Sequence, residues 1–260
     1  MKSLFLLTAL CALVAGCSTT SSNTNGSASS GFRPIFNGKD LSGWMGNPDL
    51  WSVQEGAITG KTLARKDDPK KSVLTHNTFL VNTNITVSDF ELRFSYKIVP
   101  NNGEGFGNSG VQYRSKVITN GVFGPIVGGY QADFEAGKTY SGILYEERGR
   151  GILAKRGEKT VIKAVDKGSN AKAPDFKVEV TGATGKSEDI QANIKAENWN
   201  EYVIVAKGNH VQHFINGMQT IDVTDEDAAH APKAGILGLQ IHVGGPMTVQ
   251  FKDLRIKELK

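Results

Sequence analysis

Phe90-Glu-Leu-Arg-Phe-Ser-Tyr-Lys-Ile98 sets five large apolar side chains, Phe90, Leu92, Phe94, Tyr96 and Ile98, in strict alternation with Glu91, Arg93, Ser95 and Lys97. Successive side chains of a β-strand point to opposite faces, so a period of two predicts one buried face and one wet face. Coiled as a helix, the same residues would scatter their apolar side chains around the axis.

The pattern repeats outward from that strand. Trp199 to Val223 reads as consecutive hairpins: Tyr202 to Ala206, a turn at Gly208-Asn209, Val211 to Ile215, the Asn216-Gly217 turn, and Thr220 to Val223. Asn-Gly between alternating runs is the strongest short hairpin signal. Thr248 to Leu259 carries Val249, Phe251, Leu254 and Ile256 at a broken period, which predicts a bent or bulged strand that pairs near the N-terminal one and closes a sandwich. With 30 glycines and little helical periodicity, the chain is expected to be all-β, and Phe32 to Lys260 has the size of one large domain. Lys155 to Glu197 is lysine-rich and ambiguous, with strands expected at Thr160 to Val165 and Phe176 to Val180 and a helical turn at Glu188 to Ile194. It reads as an insertion or flap.

Three strands carry unusual polar faces. Gln112 and Arg114 alternate with Val111 and Tyr113; Gln131, Asp133 and Glu135 alternate with Tyr130, Ala132 and Phe134; Ile236, Gly238, Gln240 and His242 alternate with Leu237, Leu239 and Ile241. A merely soluble sheet face tends to carry lysine and glutamate, as the Glu91 strand does. Glutamine, arginine, aspartate and histidine suit hydroxyl-rich ligands through planar hydrogen bonds, or else satisfy one another.

The N-terminus reads as a bacterial lipoprotein signal over residues 1–16: Lys2, an apolar core from Leu4 to Leu13, then Leu13-Val14-Ala15-Gly16 before Cys17. The apolar run is about half the roughly 20 residues of a transmembrane helix. Cys17 would carry the lipid and meet the membrane, and residues 17–31, rich in Ser, Thr, Asn and Gly, would be a tether. Cys11 leaves with the leader, so neither a disulfide nor a thiol nucleophile is expected. The expected location is the bacterial cell envelope, lipid-anchored at the outer membrane or periplasmic face, export being favoured by Ser18. A formal charge of +4, from 30 basic and 26 acidic residues scattered along the chain, excludes a nucleic-acid footprint.

Several stretches together resemble one family. They are Phe32-Arg-Pro-Ile-Phe-Asn-Gly-Lys-Asp-Leu-Ser-Gly-Trp44, Trp51-Ser-Val-Gln-Glu-Gly-Ala-Ile58, Asp89-Phe-Glu-Leu-Arg-Phe94, Asn108-Ser-Gly-Val-Gln-Tyr-Arg114, Gly129-Tyr-Gln-Ala-Asp133, Gly142-Ile-Leu-Tyr-Glu-Glu147, Trp199-Asn-Glu-Tyr202, Asn216-Gly217 and Gly235-Ile-Leu-Gly-Leu-Gln-Ile-His242. In this order they resemble the 3-keto-disaccharide hydrolase domain family, over all of 32–260 except the Lys155 to Glu197 region. The resemblance implies a concanavalin A-like jelly-roll β-sandwich of two antiparallel sheets with a sugar site on the concave sheet. It also implies a hydrolase or lyase acting on 3-keto-glycosides that a sugar 3-dehydrogenase has oxidised upstream.

That chemistry needs a base near C2, an acid for the leaving oxygen and a donor for the C3 enolate. Asp133 and His242 are the candidates for base and acid, in either order, and Arg114 for the enolate or a hydroxyl clamp. Gln131, Gln112 and Gln240 would orient sugar hydroxyls, and one of Glu146 and Glu147 shares the Asp133 face. Asp133 and Arg114 as a structural ion pair, and a non-catalytic carbohydrate-binding lipoprotein, are the alternatives. No cofactor is expected beyond a divalent cation on Asp133 or Glu135. His76, His210, His213 and His230 lack compact ligand spacing, and two tryptophans, Trp44 and Trp51, read more readily as core than as sugar platforms.

Overall fold

The computed structural model describes Met1, residues 31–166, Gly168 and residues 174–260; the rest of the expected leader, Cys17 and most of the tether lie outside them. Strands β1 (Arg33–Pro34), β2 (Trp44–Met45), β3 (Trp51–Gln54), β4 (Ala57–Lys61), β5 (Thr78–Asn82) and β6 (Phe90–Pro100) come first. β7 (Asn108–Gly121), β8 (Gly124–Glu135), β9 (Leu144–Glu147), β10 (Gly151–Ala154), β11 (Glu158–Ala164) and β12 (Phe176–Ala183) precede the short helix α1 (Ser187–Ala192). β13 (Asn200–Lys207), β14 (His210–Ile215), β15 (Met218–Asp225), β16 (Ile236–Ile241) and β17 (Met247–Glu258) complete the order. No described helix is long and apolar enough to cross a membrane.

The strands form two sheets. One has ten strands, in the order β12-β11-β15-β14-β13-β6-β17-β4-β3 with β1 paired to β17; the other has seven, in the order β10-β9-β8-β7-β16-β5-β2. All pairs are antiparallel except β11 with β15. The sandwich closes as expected: Arg33 of β1 lies opposite Ile256 of β17, and β17 runs beside β6 with a bulge between Lys252 and Arg255, where Asp253 has φ +56°. The Asn216-Gly217 hairpin has both residues at positive φ, the geometry that favours this dipeptide.

The apolar face of β6 is the centre of the core. Phe90, Leu92, Phe94, Tyr96 and Ile98 are all buried; Phe94 stacks on Tyr202 at 5.3 Å and Tyr96 on Phe134 at 4.0 Å between ring centroids. Each large apolar side chain so buried contributes roughly 1.5–3 kcal/mol. Trp44 and Trp51 belong to this core and are not sugar platforms.

One polar group sits inside it. His213 is fully buried between two hydroxyls, Tyr113 2.9 Å from Nε2 and Tyr202 3.1 Å from Nδ1. Burial holds its pKa down to about 3, so the neutral ring favours folding fully above the ordinary pKa of about 6.5. That advantage is lost as pH falls from there toward 3. His213→Leu leaves two buried hydroxyls unpaired, and urea unfolding is expected to show a loss of about 2–6 kcal/mol, at 1–3 for each orphaned group.

The Lys155 to Glu197 segment is not a separate flap. β11 and β12 form a hairpin that extends the ten-stranded sheet through β15, and α1 follows where the helical turn was expected. β12 is the edge of that sheet, and its Lys177 and Glu179 are charges of the kind that keep an edge from pairing with other chains.

Candidate functional site

The seven-stranded sheet turns Val111, Tyr113, Tyr130, Ala132, Phe134, Leu237, Leu239 and Ile241 into the core. Strand alternation therefore sends Asn108, Gly110 and Gln112 of β7, Gln131 and Asp133 of β8, Tyr145 and Glu147 of β9 and Gln240 of β16 to the opposite face. A cavity of 380 Å³ opens there, lined by Asn77, Phe106, Asn108, Gln131, Asp133, Glu135, Tyr140, Tyr145, Glu147 and His242. Polar groups on this face are buried: Gln131 is 1% exposed, Asp133 6% and Glu147 8%.

Hydrogen bonds tie the face into one network. Gln112 donates to Gln131 Oε1 at 2.6 Å, Gln131 to Gln240 Oε1 at 3.3 Å, and Gln240 to Glu147 at 3.5 Å. Asn77 donates to Glu147 at 3.3 Å while its own oxygen accepts from Val243 N–H at 2.9 Å. Gln131 reaches Gln240 by lying across β7 at Gly110, where a Cβ would stand 2.6 Å from Gln131 Cγ and 2.9 Å from the Ala132 carbonyl. Gly110 is thus the gap through which the network passes. Asn108 donates to Asp133 Oδ1 at 3.2 Å, and Asn108 Oδ1 is buried with no partner of its own.

Burial sets the protonation of the site. It raises the Asp133 carboxyl well above the usual carboxylate range, with Glu135 and Glu147 adding repulsion against the Asn108 hydrogen bond, and it raises Glu147 as well. His242 is pushed below its ordinary value by the same desolvation. His242 Nδ1 contacts the Val243 carbonyl, which only accepts, so Nδ1 carries the hydrogen. In the neutral ring Nε2 is then a bare lone pair.

The structure brings Asp133, His242, Gln131 and Glu147 to one cavity, and four expected site residues fall elsewhere. Arg114 does not share the Asp133 face, because the β7–β8 register shifts between Tyr113 and Lys116 and Arg114 takes φ +48°. Its guanidinium is buried against the Ser88 carbonyl at 2.6 Å, the Gly208 carbonyl at 2.7 Å and Asp89 at 2.9 Å. It is a clamp between loops, and it forms its ion pair with Asp89 rather than with Asp133. Glu146 faces the other way, paired to Arg150 at 2.7 Å. Gln112 and Gln240 lie in the network beneath the cavity, fully buried, and hold Gln131 and Glu147 rather than a ligand.

Sequence reasoning missed Asn77, Phe106, Asn108 and Tyr145. Asn108 is in step with Gln112 along β7, and Tyr145 with Glu147 along β9, so the alternation contained both; Asn77 and Phe106 lie outside the strands and had no periodic signal. Among the described residues no group of three or more His, Cys, Asp or Glu side chains is arranged to hold a metal ion. Glu135, an alternative to Asp133 as the cation ligand, accepts the Tyr140 amide at 2.8 Å through Oε1.

The sequence model of the 3-keto-alpha-glucoside-1,2-lyase-like domain matches residues 31–257. The chain belongs to that family. Membership makes the function of this 3-keto-alpha-glucoside-1,2-lyase-like domain carbohydrate-related. A putative glycosyl hydrolase from Parabacteroides distasonis ATCC 8503 shares 17% identity over 88% of this chain and 99% of its own, with a TM-score of 0.52. A Bacillus subtilis protein of unknown function with a galectin-like fold shares 11% over 87% and 94%, also at 0.52. The Bacillus subtilis carbohydrate-binding module CBM66 shares 15% over 83% and 96%, at 0.50. At these identities the likeness shows the fold alone, a two-sheet jelly roll. No curated protein matches the chain.

Proposed function

We propose that the protein cleaves glycosides already oxidised at C3, by removing the C2 proton, eliminating the C1 aglycone and adding water back. A ketone at C3 acidifies the C2 hydrogen. His242 Nε2 takes that proton, and the C–H electron pair passes into the C3 carbonyl as an enolate. The enolate collapses, C1=C2 forms, and the C1–O pair leaves on the aglycone oxygen, to which Asp133 delivers its proton. Water then adds across C1=C2, so one water is consumed and a 3-keto sugar and a free aglycone alcohol result.

The observation that carries this reading is that His242 and Asp133 line the same cavity, where burial pushes the imidazole pKa down and the carboxyl pKa well up. Both shifts favour the imidazole as the base and the carboxyl as the acid. An ordinary retaining or inverting glycosidase needs one of its two carboxyls ionised, whereas burial opposes ionisation of both Asp133 and Glu147. Tyr145, whose hydroxyl burial holds protonated, is the donor for the enolate oxygen in place of Arg114. The orphaned Asn108 Oδ1 suits a sugar hydroxyl.

Incubating the full chain with a 3-keto-glucoside and with its unoxidised parent tests the reading. Aglycone release is expected from the keto form alone. Release from neither, with sugar binding retained, would favour a binding protein, and loss of release on adding a chelator would bring in a divalent cation on Asp133 or Glu135. Gly110→Ala should raise KM by about tenfold or more, with a smaller effect on kcat and a stability cost of about 1–3 kcal/mol for the overpacked strand pair; steady-state kinetics and urea unfolding check both.

The leader sequence supports a further part of the proposal, a domain tethered through a lipid on Cys17 in the bacterial envelope, and the C3 ketone of the proposed substrate calls for a sugar 3-dehydrogenase upstream. Cys17→Ala should move the protein from the membrane to the soluble fraction on cell fractionation.

A further inference from the structure

A second cavity, of 560 Å³, lies at the end of the domain where α1 and the residues up to Glu197 cover the core strand β6. It is lined by Tyr96 and Ile98 of β6, by Ala136 to Lys138, by Arg156 and by Gln191 of α1. The segment that the family motifs left unassigned therefore has a defined place: it roofs this cavity.

Three polar groups here are incompletely satisfied. The Tyr96 hydroxyl is buried without a hydrogen-bond partner, although the residue is only 1% exposed. Gln191 Oε1 is buried and equally unpartnered. Arg156 is 9% exposed and donates only to carbonyls, those of Ser141 at 2.9 Å, Lys138 at 2.8 Å and Ser187 at 3.2 Å. A guanidinium has five N–H donors, so two are unused, and no described carboxylate forms an ion pair with it. Buried polar groups are nearly always hydrogen-bonded, and each exception calls for a reason.

We propose that this cavity is a second carbohydrate site, taking a small polyhydroxylated molecule, either a free sugar or the end of a glycan. Gln191 Oε1 can only accept, the guanidinium can only donate, and the Tyr96 hydroxyl can do either. Sugar hydroxyls both donate and accept, so a sugar offers a partner for each of these three kinds of group. The charged side chains lining the cavity are of both signs, Lys138, Arg156 and Lys195 against Glu135, Glu188 and Glu197, which disfavours a simple anion. Glu135 lines the Asp133 cavity as well, and the loop that carries Lys138 and Ser141, which Arg156 holds, also carries Tyr140 of that cavity. The two sites share one wall.

NMR titration of the full chain with methyl α-glucoside, and in parallel with maltotetraose, tests this. The expected result is saturable shifts at Tyr96, Arg156 and 187–197. Tyr96→Phe and Gln191→Leu should each weaken that binding about 2- to 12-fold, the effect of one hydrogen bond, while Asp133→Asn leaves it unchanged. A response to maltotetraose alone identifies the end of a glycan; a response to both identifies a monosaccharide unit. No saturable shift in this region with either sugar would overturn the proposal, as would affinities that neither variant changes. The probes carry no ketone, so the outcome is independent of turnover in the Asp133 cavity.

Discussion

Asp133→Asn is expected to lower kcat on a 3-keto-glucoside by about 10²- to 10⁴-fold, the usual contribution of a positioned acid, and at the same time to raise the melting temperature at neutral pH. Both effects have one cause. Burial makes the Asp133 carboxylate costly, so the folded state holds a proton that the unfolded chain releases above a pKa of about 3.9. Between that pH and the raised folded value the native state binds more protons, and stability falls as pH rises. Asparagine keeps the oxygen that accepts from Asn108 but cannot ionise, so its stability advantage grows with pH and disappears near pH 3. Thermal melts at pH 3 and pH 8 beside steady-state kinetics check the pair of effects. A binding protein would show the stability gain with unchanged sugar affinity and have no turnover to lose.

His242→Ala should cost a similar 10²- to 10⁴-fold, and exogenous imidazole should restore part of the rate, because the variant leaves space beside Phe106, whose ring centroid is 5.8 Å from the imidazole. The wild-type kcat/KM profile should rise with pH through a limb below the ordinary histidine value of about 6.5, where burial puts the His242 pKa. His242→Ala, assayed without imidazole, should lose that acidic limb. Asp133→Asn should lose the alkaline limb instead, since the acid that must stay protonated is gone. A pH profile that survives both substitutions unchanged would assign acid and base elsewhere.

What the chain made legible was whatever repeats locally. The alternation of Phe90 to Ile98, the Asn216-Gly217 turn and the broken period of β17 each specify structure within a dozen residues, and together they describe a closed sandwich. The polar face of β8 was legible for the same reason, which is how Gln131 and Asp133 were found.

Arg114 was misplaced because its face was counted through a bulge. One extra residue between Tyr113 and Lys116 reverses the parity of the rest of the strand, and a slip of one residue sends a side chain to the opposite side. Gln112 and Gln240 were on the expected face, but side-chain length allowed them to satisfy one another, which periodicity does not report. Asn77 reaches Glu147 from 70 positions away in an irregular segment, and β11 joins β15 by a parallel, non-local pairing. Contacts of that kind are set by the assembled sheets and have no local signature.

The central claim is that the C2–H bond breaks before the aglycone leaves. Running the reaction in D₂O and locating deuterium in the 3-keto sugar product by mass spectrometry and NMR tests it most directly, with recovered substrate as the reference for spontaneous exchange. The account predicts one deuterium at C2 of the product, beyond that in the recovered substrate. A product that keeps its original hydrogen at C2 while the aglycone is released would contradict it.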